Sequence, residues 1–514
     1  MRTKITIILI ILCLSRIATA QTFTDVQAKL TGLAESSCGW IDINRDGDLD
    51  IIVAGNYFDN SKINIKTTIY SNQRNELFTA IIRNLPHFYK GDFAFADFNL
   101  DGIQDVAVVG ENPSGKPIAQ IYKGTANGNF TLTNIALEPV RYASVDWSDF
   151  DNNGASDLLI TGESANNGLV SFVYRNNKNG TFTKMNTDLV GVKNGTSKWF
   201  DYNLDGYPDI LLTGQSNKTP VTILYRNTGS GFALESREFI DLQNSNIAFG
   251  DADNDGDLDI LLLGETANGQ KATRLYRNDR TRGFRLIDIG FVNVSHGFAD
   301  WGDMDHDGDL DLLISGEGKN GPVSKVYRND RRQGFVDIGA NVIPLYMSDG
   351  QWGDYDLDGD LDILISGLST DNRAYTKVYR NDGIKISNDS DSDDELADWE
   401  MEGENSLLFG ETHISEDTKP IYFYVYSSTY SDLYGTGKKD YYTFISPIKR
   451  PKHQYEMEDK YNDLIIKSYP NWSEIDQGKL IHVGFRTLKE AEASRNEMMH
   501  QYAGKKFHII ELNW

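Results

Sequence analysis

Aspartate recurs along this chain at fixed spacings within nine-residue segments. The first segment reads Asp42-Ile43-Asn44-Arg45-Asp46-Gly47-Asp48-Leu49-Asp50. In such a segment the side chains at positions 1, 3 and 5 point their oxygens at one centre, and the glycine at position 6 permits a sharp turn. Position 7 offers a backbone carbonyl, and the aspartate at position 9 closes the shell. Because Ca²⁺ takes six to eight oxygen ligands, the segment predicts a calcium-binding loop.

The segment occurs seven times, which predicts up to seven calcium ions. Successive first aspartates are 55, 52, 52, 50, 52 and 51 residues apart, and such a period indicates a stacked or circular repeat architecture. Loops five to seven carry four carboxylates at positions 1, 3, 5 and 9, and the others carry three. The predicted ligands at positions 1, 3, 5, 7 and 9 are Asp42, Asn44, Asp46, Asp48, Asp50; Asp97, Asn99, Asp101, Ile103, Asp105; Asp149, Asp151, Asn153, Ala155, Asp157; Asp201, Asn203, Asp205, Tyr207, Asp209; Asp251, Asp253, Asp255, Asp257, Asp259; Asp303, Asp305, Asp307, Asp309, Asp311; and Asp354, Asp356, Asp358, Asp360, Asp362.

Two other interpretations of the loops are weaker. An EF-hand needs a glutamate at position 12 and flanking helices, whereas position 12 is Val53 in the first loop and an aliphatic residue in every other. Simple polar turns also use Asp, Asn and Gly, but they do not require an aspartate at position 9 in all seven copies. Magnesium is less apt, because an all-protein cage is unusual for that ion.

The elements that must position these loops follow the same period. Each loop is followed by an apolar run, a tyrosine and, in six copies, a phenylalanine seven or eight residues later, so each unit reads as four short strands. Four strands at a period near 50 are typical of a propeller blade, and an open solenoid would need capping repeats. We therefore predict an all-β, seven-bladed β-propeller. The aromatic residues two positions before each loop are Trp40, Phe95, Trp147, Trp199, Phe249, Trp301 and Trp352.

The last unit lacks its fourth strand. Eight residues after Tyr379 the chain has Ser387 where the other units have phenylalanine. Phe23 lies 55 residues before Phe78, about one repeat length, and can supply the missing phenylalanine from the start of the chain. Unpaired strand edges are avoided in proteins. We predict that the segment 23–29 pairs with 376–381 and closes the ring.

Three of the loops are preceded by an aromatic residue and a glycine: Phe249-Gly250-Asp251, Trp301-Gly302-Asp303 and Trp352-Gly353-Asp354. With these motifs, residues 23–382 resemble the FG-GAP/VCBS repeat family, whose members include the propellers of integrin α subunits. The resemblance implies calcium in the loops between the first and second strands, on one face of the disc, and a ligand on the opposite face. The first four units depart from the motif, with Ile41, Ala96, Ser148 and Phe200 in place of the glycine.

The net charge and the first twenty residues indicate where the protein acts and which partners it excludes. The 514 residues carry a formal charge of −25, which argues against nucleic acid as a partner, since phosphate binding needs a basic surface. Residues 1–20 read as a signal peptide cleaved after Ala20, and no later segment is long and apolar enough to span a bilayer. We therefore predict an exported protein, secreted or extracytoplasmic, in which Cys38 is the one cysteine of the mature chain.

We assign residues 21–383 to the propeller, 384–405 to an acidic linker and 406–514 to a small α+β domain of unknown role. In that domain we predict strands near 421–428, 441–448, 479–485 and 507–512, and helices near 457–468 and 487–502.

Two functions remain at this point. The first is a binding or adhesion protein for a glycan or protein ligand, with calcium in a structural role. The second is an exported calcium-dependent carbohydrate-active enzyme that resembles polysaccharide lyases. The even spacing of the units leaves no long insertion for a catalytic pocket, which favours binding and no enzyme activity. Glutamates after the second strands either line a ligand rim or only preserve hairpins: Glu111, Glu163, Glu265 and Glu317.

Overall fold

The computed structural model describes residues 20–59, 62–74, 76–331, 334–385, 422–431, 440–445, 481–485 and 508–511. Contacts divide the chain into two units, Met1–Asp391 and Ser392–Trp514. The predicted leader, apart from Ala20, and the predicted linker, apart from its first two residues, lie outside the described residues. Within the described ranges, no helix has the length and apolar character needed to cross a membrane.

The first unit is all-β and consists of four-stranded groups, here called repeats 1 to 7. Repeat 1 contains β2 (Ala34–Ile41), β3 (Asp50–Asp59), β4 (Lys62–Asn72) and β5 (Phe78–Ile81). Repeat 2 contains β6 (Tyr89–Ala96), β7 (Asp105–Glu111), β8 (Pro117–Gly124) and β9 (Phe130–Leu132). Repeat 3 contains β10 (Val140–Ser148), β11 (Asp157–Ser164), β12 (Gly168–Asn176) and β13 (Phe182–Lys184). Repeat 4 contains β14 (Ser197–Phe200), β15 (Asp209–Ser216), β16 (Thr219–Asn227) and β17 (Phe232–Ser236).

The remaining repeats follow the same order. Repeat 5 contains β18 (Gln243–Gly250), β19 (Asp259–Glu265), β20 (Lys271–Asn278), a short 3-10 helix (Arg280–Arg282) and β21 (Phe284–Ile287). Repeat 6 contains β22 (Ser295–Gly302), β23 (Asp311–Gly318), β24 (Gly321–Asn329) and β25 (Phe335–Asp337). Repeat 7 contains β26 (Tyr346–Gly353), β27 (Asp362–Leu368), β28 (Ala374–Lys385) and, from the start of the chain, β1 (Ala20–Asp25). Neighbours within each repeat are antiparallel.

The second strand of each repeat is the buried centre of its sheet. In β19 the run from Ile260 to Leu263 is at most 1 % exposed. A strand that is covered on both faces reads as a continuous apolar run, and here the two covers are the neighbouring repeats. The apolar runs that follow the acidic loops are therefore explained by packing between repeats.

The predicted closing strand is present. In β1, Phe23 pairs with Asn381 of β28, and its ring lies 5.8 Å from that of Trp352. Phe23 is buried in the core of repeats 6 and 7. The strand spans Ala20–Asp25 where 23–29 was predicted, and its partners run from Tyr379 to Lys385 where 376–381 was predicted, because Ala20 and Gln21 also pair with β28. Beyond its end, Val26 still donates its backbone N–H to Val378. The ends of this unit thus meet in one sheet.

First strands of successive repeats contact each other, except that at the junction of repeats 4 and 5 the second strand β15 contacts β18. Because β26 also contacts β2, the repeats form a closed ring. The glycine after each aromatic residue explains the packing of repeats 5 to 7. A Cβ atom at Gly250 would lie 2.7 Å from the indole of Trp301, and one at Gly353 would lie 2.5 Å from Trp40. Glycine is needed there to admit the next tryptophan. In repeat 4, Phe200 replaces it and stacks on Phe249 with 4.2 Å between ring centres.

The second unit contains four described strands, β29 (Tyr422–Ser431), β30 (Asp440–Ile445), β31 (Ile481–Phe485) and β32 (His508–Glu511). They form one sheet in the order β31-β29-β30-β32, in which only the β30–β32 pair is parallel. These strands coincide with the four that the sequence predicts. Both predicted helices lie outside the described residues, and the α+β assignment stays a prediction.

Candidate metal centres and the opposite face

Each acidic loop connects the first and second strands of its repeat and is held in a tight turn. All seven glycines at position 6 have left-handed backbones, with φ from +77° to +99°. In loop 5 both carboxylate oxygens of Asp251 accept backbone N–H groups, from Asp255 and Gly256, at 2.9 Å. The N–H of Asp257 donates to Asp255 at 3.0 Å. These bonds turn the side chains at positions 1 and 5 inward, as a metal site requires.

In four loops the predicted ligands converge. Carboxylate oxygens within 4.8 Å of one another are offered by Asp149, Asp151 and Asp157; by Asp251, Asp253 and Asp255; by Asp303, Asp305 and Asp311; and by Asp354, Asp356 and Asp362. In loops 1, 2 and 4 an asparagine stands at position 3, so these loops offer no carboxylate at that position. These acidic groups are therefore placed to hold a metal ion.

Several buried oxygens in these loops have no donor. Three of them belong to predicted ligands at position 1, 3 or 5: Asp151 Oδ1 and Asn153 Oδ1 in loop 3 and Asp303 Oδ1 in loop 6. A fourth, Asp257 Oδ1, is at position 7 of loop 5. A buried polar atom without a partner is costly. One hard cation in loop 3 and another in loop 6 would satisfy the first three oxygens, so the residues present fit calcium.

The aspartate at position 9 also has a structural role. Asp259 is fully buried and accepts N–H groups from Asn278 at 2.8 Å and from Ala252 at 3.0 Å. Burial raises the pKa of Asp259 to about 7. In the other loops burial raises the pKa of the equivalent carboxyl to values between about 6, at Asp50, and about 8, at Asp362. Bound calcium would compensate the cost of ionising these groups.

An asparagine at the end of the third strand links neighbouring loops, and the sequence analysis missed it. In repeat 5, the side-chain amide of Asn278 donates to the carbonyl of Tyr202 in loop 4 at 2.8 Å. Six repeats make this bond. The sequence signal was a recurring asparagine two residues after the tyrosine of each of these repeats, in five of them as Tyr-Arg-Asn. Repeat 2 has Gly124 instead, where a Cβ atom would lie 2.1 Å from the carbonyl oxygen of Gln104. The six asparagines are Asn72, Asn176, Asn227, Asn278, Asn329 and Asn381.

Replacing one linking asparagine destabilises two repeats at once. We expect Asn278→Ala to lower the free energy of unfolding by about 2–4 kcal/mol, because it leaves buried backbone groups of two loops without partners. Urea unfolding of the two proteins measures the loss. Asn166→Ala is the matched control, since Asn166 is exposed and its side chain makes no hydrogen bond. Equal stability of the two variants would contradict the linking role.

Basic side chains surround the loops. Lys123 lies 2.8 Å from Asp101, Arg175 lies 3.1 Å from Asp151 and Arg277 lies 3.0 Å from Asp253. His306, at position 4 of loop 6, is 55 % exposed, and its Nε2 lies 3.1 Å from Asp360 in the next loop.

First strands of all seven repeats line a central channel of about 570 Å³. Lys198 lies in it among four carboxylates, and the nearest of these, on Asp146, is 3.9 Å away. Neighbouring carboxylates raise the pKa of Lys198, so it stays charged. Carboxylates of this channel also accept backbone N–H groups from the next repeat, as Asp300 does from Trp352 at 2.9 Å. The four carboxylates belong to Asp92, Asp146, Asp300 and Asp349.

One cation does not balance four carboxylates, so removing one negative charge stabilises the fold. Burial raises the pKa of Asp349 to about 7, above the roughly 3.9 of an unfolded aspartate. Its contribution to stability is present at low pH and lost as the pH rises through 7. We expect Asp349→Asn to gain about 1–2 kcal/mol at pH 8, because the side chain faces an open channel, and clearly less at pH 5, which is closer to the pKa of the unfolded aspartate. Thermal melts at both pH values test this, and a gain at pH 5 alone would contradict it.

The glutamates after the second strands lie on the face opposite the loops. Arg141 of repeat 3 binds Glu111 of repeat 2 at 3.0 Å and Glu163 of its own repeat at 2.8 Å. Glu163 also binds Lys193, whose backbone pairs with Gln215 of repeat 4. Glu317 lies 3.0 Å from Lys271 of repeat 5. Glu265 has no ion pair within the part of the chain that the structure describes. Three of the four glutamates thus join neighbouring repeats. Cys38 is buried beside the channel, in agreement with a packing role.

Comparison with known proteins identifies the repeats. Residues 42–108, 97–160 and 201–262 match the model of the FG-GAP-like repeat. No curated protein matches the chain significantly. Among solved structures, the Dos1 propeller is 10 % identical with a TM-score of 0.39 and covers 72 % of this chain and 97 % of its own. A mutant of AofleA from Arthrobotrys oligospora is 12 % identical with a TM-score of 0.39 and covers 60 % and 87 %. These structural similarities are too low to carry an argument about function.

Proposed function

We propose that this chain is an FG-GAP repeat β-propeller protein, supported by the three matching repeats and the four-stranded sheets, and that it is an exported binding protein stabilised by calcium. In this proposal the seven repeats are the blades of one propeller, the acidic loops hold the metal ions, and the opposite face binds a glycan or protein ligand. In this proposal calcium stabilises the fold and takes no part in a reaction.

The observation that carries the proposal is the convergence of carboxylates in four loops together with donorless buried oxygens at positions 1 to 5 in two of them. Oxygen ligands in this arrangement suit calcium. All loops join first and second strands, so they share one face of the ring. The other ends of the first strands lie about 25 Å away, the length of eight residues at about 3.3 Å each. Metal and ligand therefore occupy separate faces.

Binding in this arrangement depends on calcium indirectly. Removal of the ions leaves like charges unopposed in the loops, and the repeats that frame the opposite face lose their order. We expect ligand binding to disappear together with the folded ring and to return when calcium is restored. A metal that took part in the ligand site itself would affect binding without affecting stability.

The experiment is a glycan and protein array probed with the full chain in calcium and in excess chelator, with bound ions counted by native mass spectrometry. We expect calcium-dependent retention on a defined ligand and no turnover of it. A matched pair of variants locates the effect: Asp255→Asn in loop 5 is expected to lose one ion, and Asp288→Asn, at an exposed position outside the loops, none. A protein that binds no calcium, or that cleaves an arrayed polysaccharide, would contradict the proposal.

A further inference from the structure

Position 7 of the acidic loops is an aspartate in four of the seven loops: Asp48, Asp257, Asp309 and Asp360. In three of these loops the aspartate binds an arginine of its own repeat, and its side chain is at most 7 % exposed. These contacts, here called the arginine pairs, join Arg74 to Asp48, Arg280 to Asp257 and Arg331 to Asp309. Each pair places a buried carboxylate of a loop beside a guanidinium group.

The arginine of each pair stands two residues after a linking asparagine, in the hairpin between the third and fourth strands. In repeat 5 the backbone N–H of Arg280 donates to the side-chain oxygen of Asn278 at 3.0 Å. Repeat 7 has Gly383 at the same place, and its N–H makes the same bond to Asn381 at 3.1 Å. The φ angles of the three arginines lie between +43° and +63°, and that of Gly383 is +64°. The hairpins are therefore alike, and repeat 7 lacks only the arginine side chain.

The arginine pair does not shape the backbone of the loop. In loop 5 the N–H of Asp257 donates to the carboxylate at position 5 at 3.0 Å. Loops 2 and 4 make the same bond, from Ile103 at 3.0 Å and from Tyr207 at 2.9 Å. Those two loops have neither an acid at position 7 nor an arginine at the corresponding hairpin position. What the pair adds to a loop is therefore charge, a buried carboxylate and the cation that neutralises it.

Loops 5, 6 and 7 form a matched set in which the effect of this charge can be isolated. Each of them has aspartates at positions 1, 3, 5, 7 and 9. Each of their repeats also has an arginine directly before the linking asparagine, bound to the aspartate two residues further on. These arginines are Arg277, Arg328 and Arg380. Because this second arginine is common to all three repeats, the loops differ in the arginine pair, which loop 7 lacks.

Asp360, the position-7 aspartate of loop 7, is bound by an imidazole in place of a guanidinium. Among the described residues its only ion-pair partner is His306 of loop 6, with Nε2 at 3.1 Å, and the Asp360 side chain is 31 % exposed. An imidazole is positively charged only when it is protonated, whereas a guanidinium is always charged. With the imidazole neutral, loop 7 therefore keeps one negative charge that is neutralised in loops 5 and 6.

We propose that the arginine pairs are fixed counter-charges that lower the calcium affinity of their loops, and that loop 7, which has none, is the tightest calcium site of the ring. A fixed positive charge beside a loop opposes the binding of a divalent cation, and a carboxylate without a counter-charge attracts it. Gly383 is then the residue that sets loop 7 apart from loops 5 and 6. The inference rests on the proposed function and ranks its metal sites.

The first test installs the missing arginine in repeat 7. A Cβ atom at Gly383 would lie 3.5 Å from Asp360 Oδ2, an ordinary contact, and the φ of Gly383 is close to that of the three arginines. We expect Gly383→Arg to weaken the tightest calcium site by about three- to tenfold, the scale of one unit charge acting on a divalent ion in a solvated site. Gly383→Gln is the matched control without charge and should leave the affinity unchanged. Titration of the full chain with calcium against a chromophoric chelator at pH 8, where imidazoles are neutral, measures both.

The second test removes an arginine from loop 5. We expect Arg280→Gln to tighten that loop by a similar factor, so that native mass spectrometry at the lowest calcium finds two retained ions where the parent keeps one. Arg280→Lys preserves the charge and should keep the parent count. If Arg280→Gln does not fold, the two Gly383 variants decide the question alone.

The identity of the tightest site is checked with Asp356→Asn, which removes a predicted ligand of loop 7 and should abolish the ion that the parent retains last. Retention of that ion, or an unchanged or tighter site in Gly383→Arg, would overturn the inference. If the parent binds calcium and the charge changes have no effect, the inference fails and the proposed function stands. If the parent binds no calcium, both fail.

Discussion

We expect chelation of calcium to lower the melting temperature of this protein by about 10 °C or more. Extracellular calcium modules bind at roughly 10⁻⁴ to 10⁻³ M, so about 1 mM calcium stabilises a tight site by about 1.4 kcal/mol. The four loops with converged carboxylates would contribute about 6 kcal/mol and seven loops about 10 kcal/mol. This rivals the 5–15 kcal/mol net stability of a typical domain. Scanning calorimetry in calcium and in excess chelator measures the shift, and an unchanged midpoint would overturn a structural role for the metal.

The loops should empty in a defined order. Loops 5 to 7 carry four carboxylates at positions 1, 3, 5 and 9, so they hold calcium longest, and loops 1 to 4 release it first. Stepwise chelation followed by native mass spectrometry shows the order through the count of retained ions. Asp356→Asn in loop 7 should lower that count at low calcium, whereas Asp371→Asn, at an exposed hairpin, should not.

The effect of calcium also depends on pH, through the buried aspartates at position 9. Burial raises the pKa of Asp259 and of Asp311 to about 7, whereas an unfolded aspartate titrates near 3.9. Without metal, the folded form takes up protons first as the pH falls from about 8, so the apo protein gains stability down to about pH 4. With metal, the same protons compete with calcium. The difference in melting temperature between calcium and chelator should therefore be larger at pH 8 than at pH 5.

Removal of the closing strand opens the ring. A chain that begins at Val26 lacks β1, so β28 loses its partner and the core of repeats 6 and 7 loses Phe23. Burying a phenylalanine contributes about 3–5 kcal/mol, and the lost ladder adds more hydrogen bonds. We expect a drop of several kcal/mol in the free energy of unfolding and a larger hydrodynamic radius, measured by urea unfolding and by light scattering.

Single substitutions separate the contribution of the buried Phe23 side chain from that of the strand pairing. Phe23→Ala should cost about 3–5 kcal/mol, because Trp352 loses its neighbour and a cavity remains. Lys29→Ala is the control, since Lys29 is exposed beyond the strand, and it should change stability by less than about 0.5 kcal/mol. A truncated chain that melts like the parent would show that β1 does not close the ring.

Much of the fold followed from local sequence patterns. The period of about 50 residues and the recurring tyrosine predicted four-stranded repeats. The missing phenylalanine after Tyr379 predicted the closing strand. Both predictions rest on spacings within one repeat. The exact start of β1 was missed by three residues, since Ala20 to Thr22 carry no strand pattern of their own and are ordered by pairing with β28. The loops were predicted for the same reason as the repeats, because all of their ligands lie within nine residues.

What the sequence determined by itself is therefore the repeat, its strands and the oxygen ligands of each loop, all short-range properties. The tertiary structure decided how repeats meet. Asn278 bonds to a carbonyl 76 residues away, and Lys198 collects carboxylates from four different repeats. These contacts leave no local pattern in the sequence, because their partners are brought together by closure of the ring, and for that reason they became visible only in the folded protein.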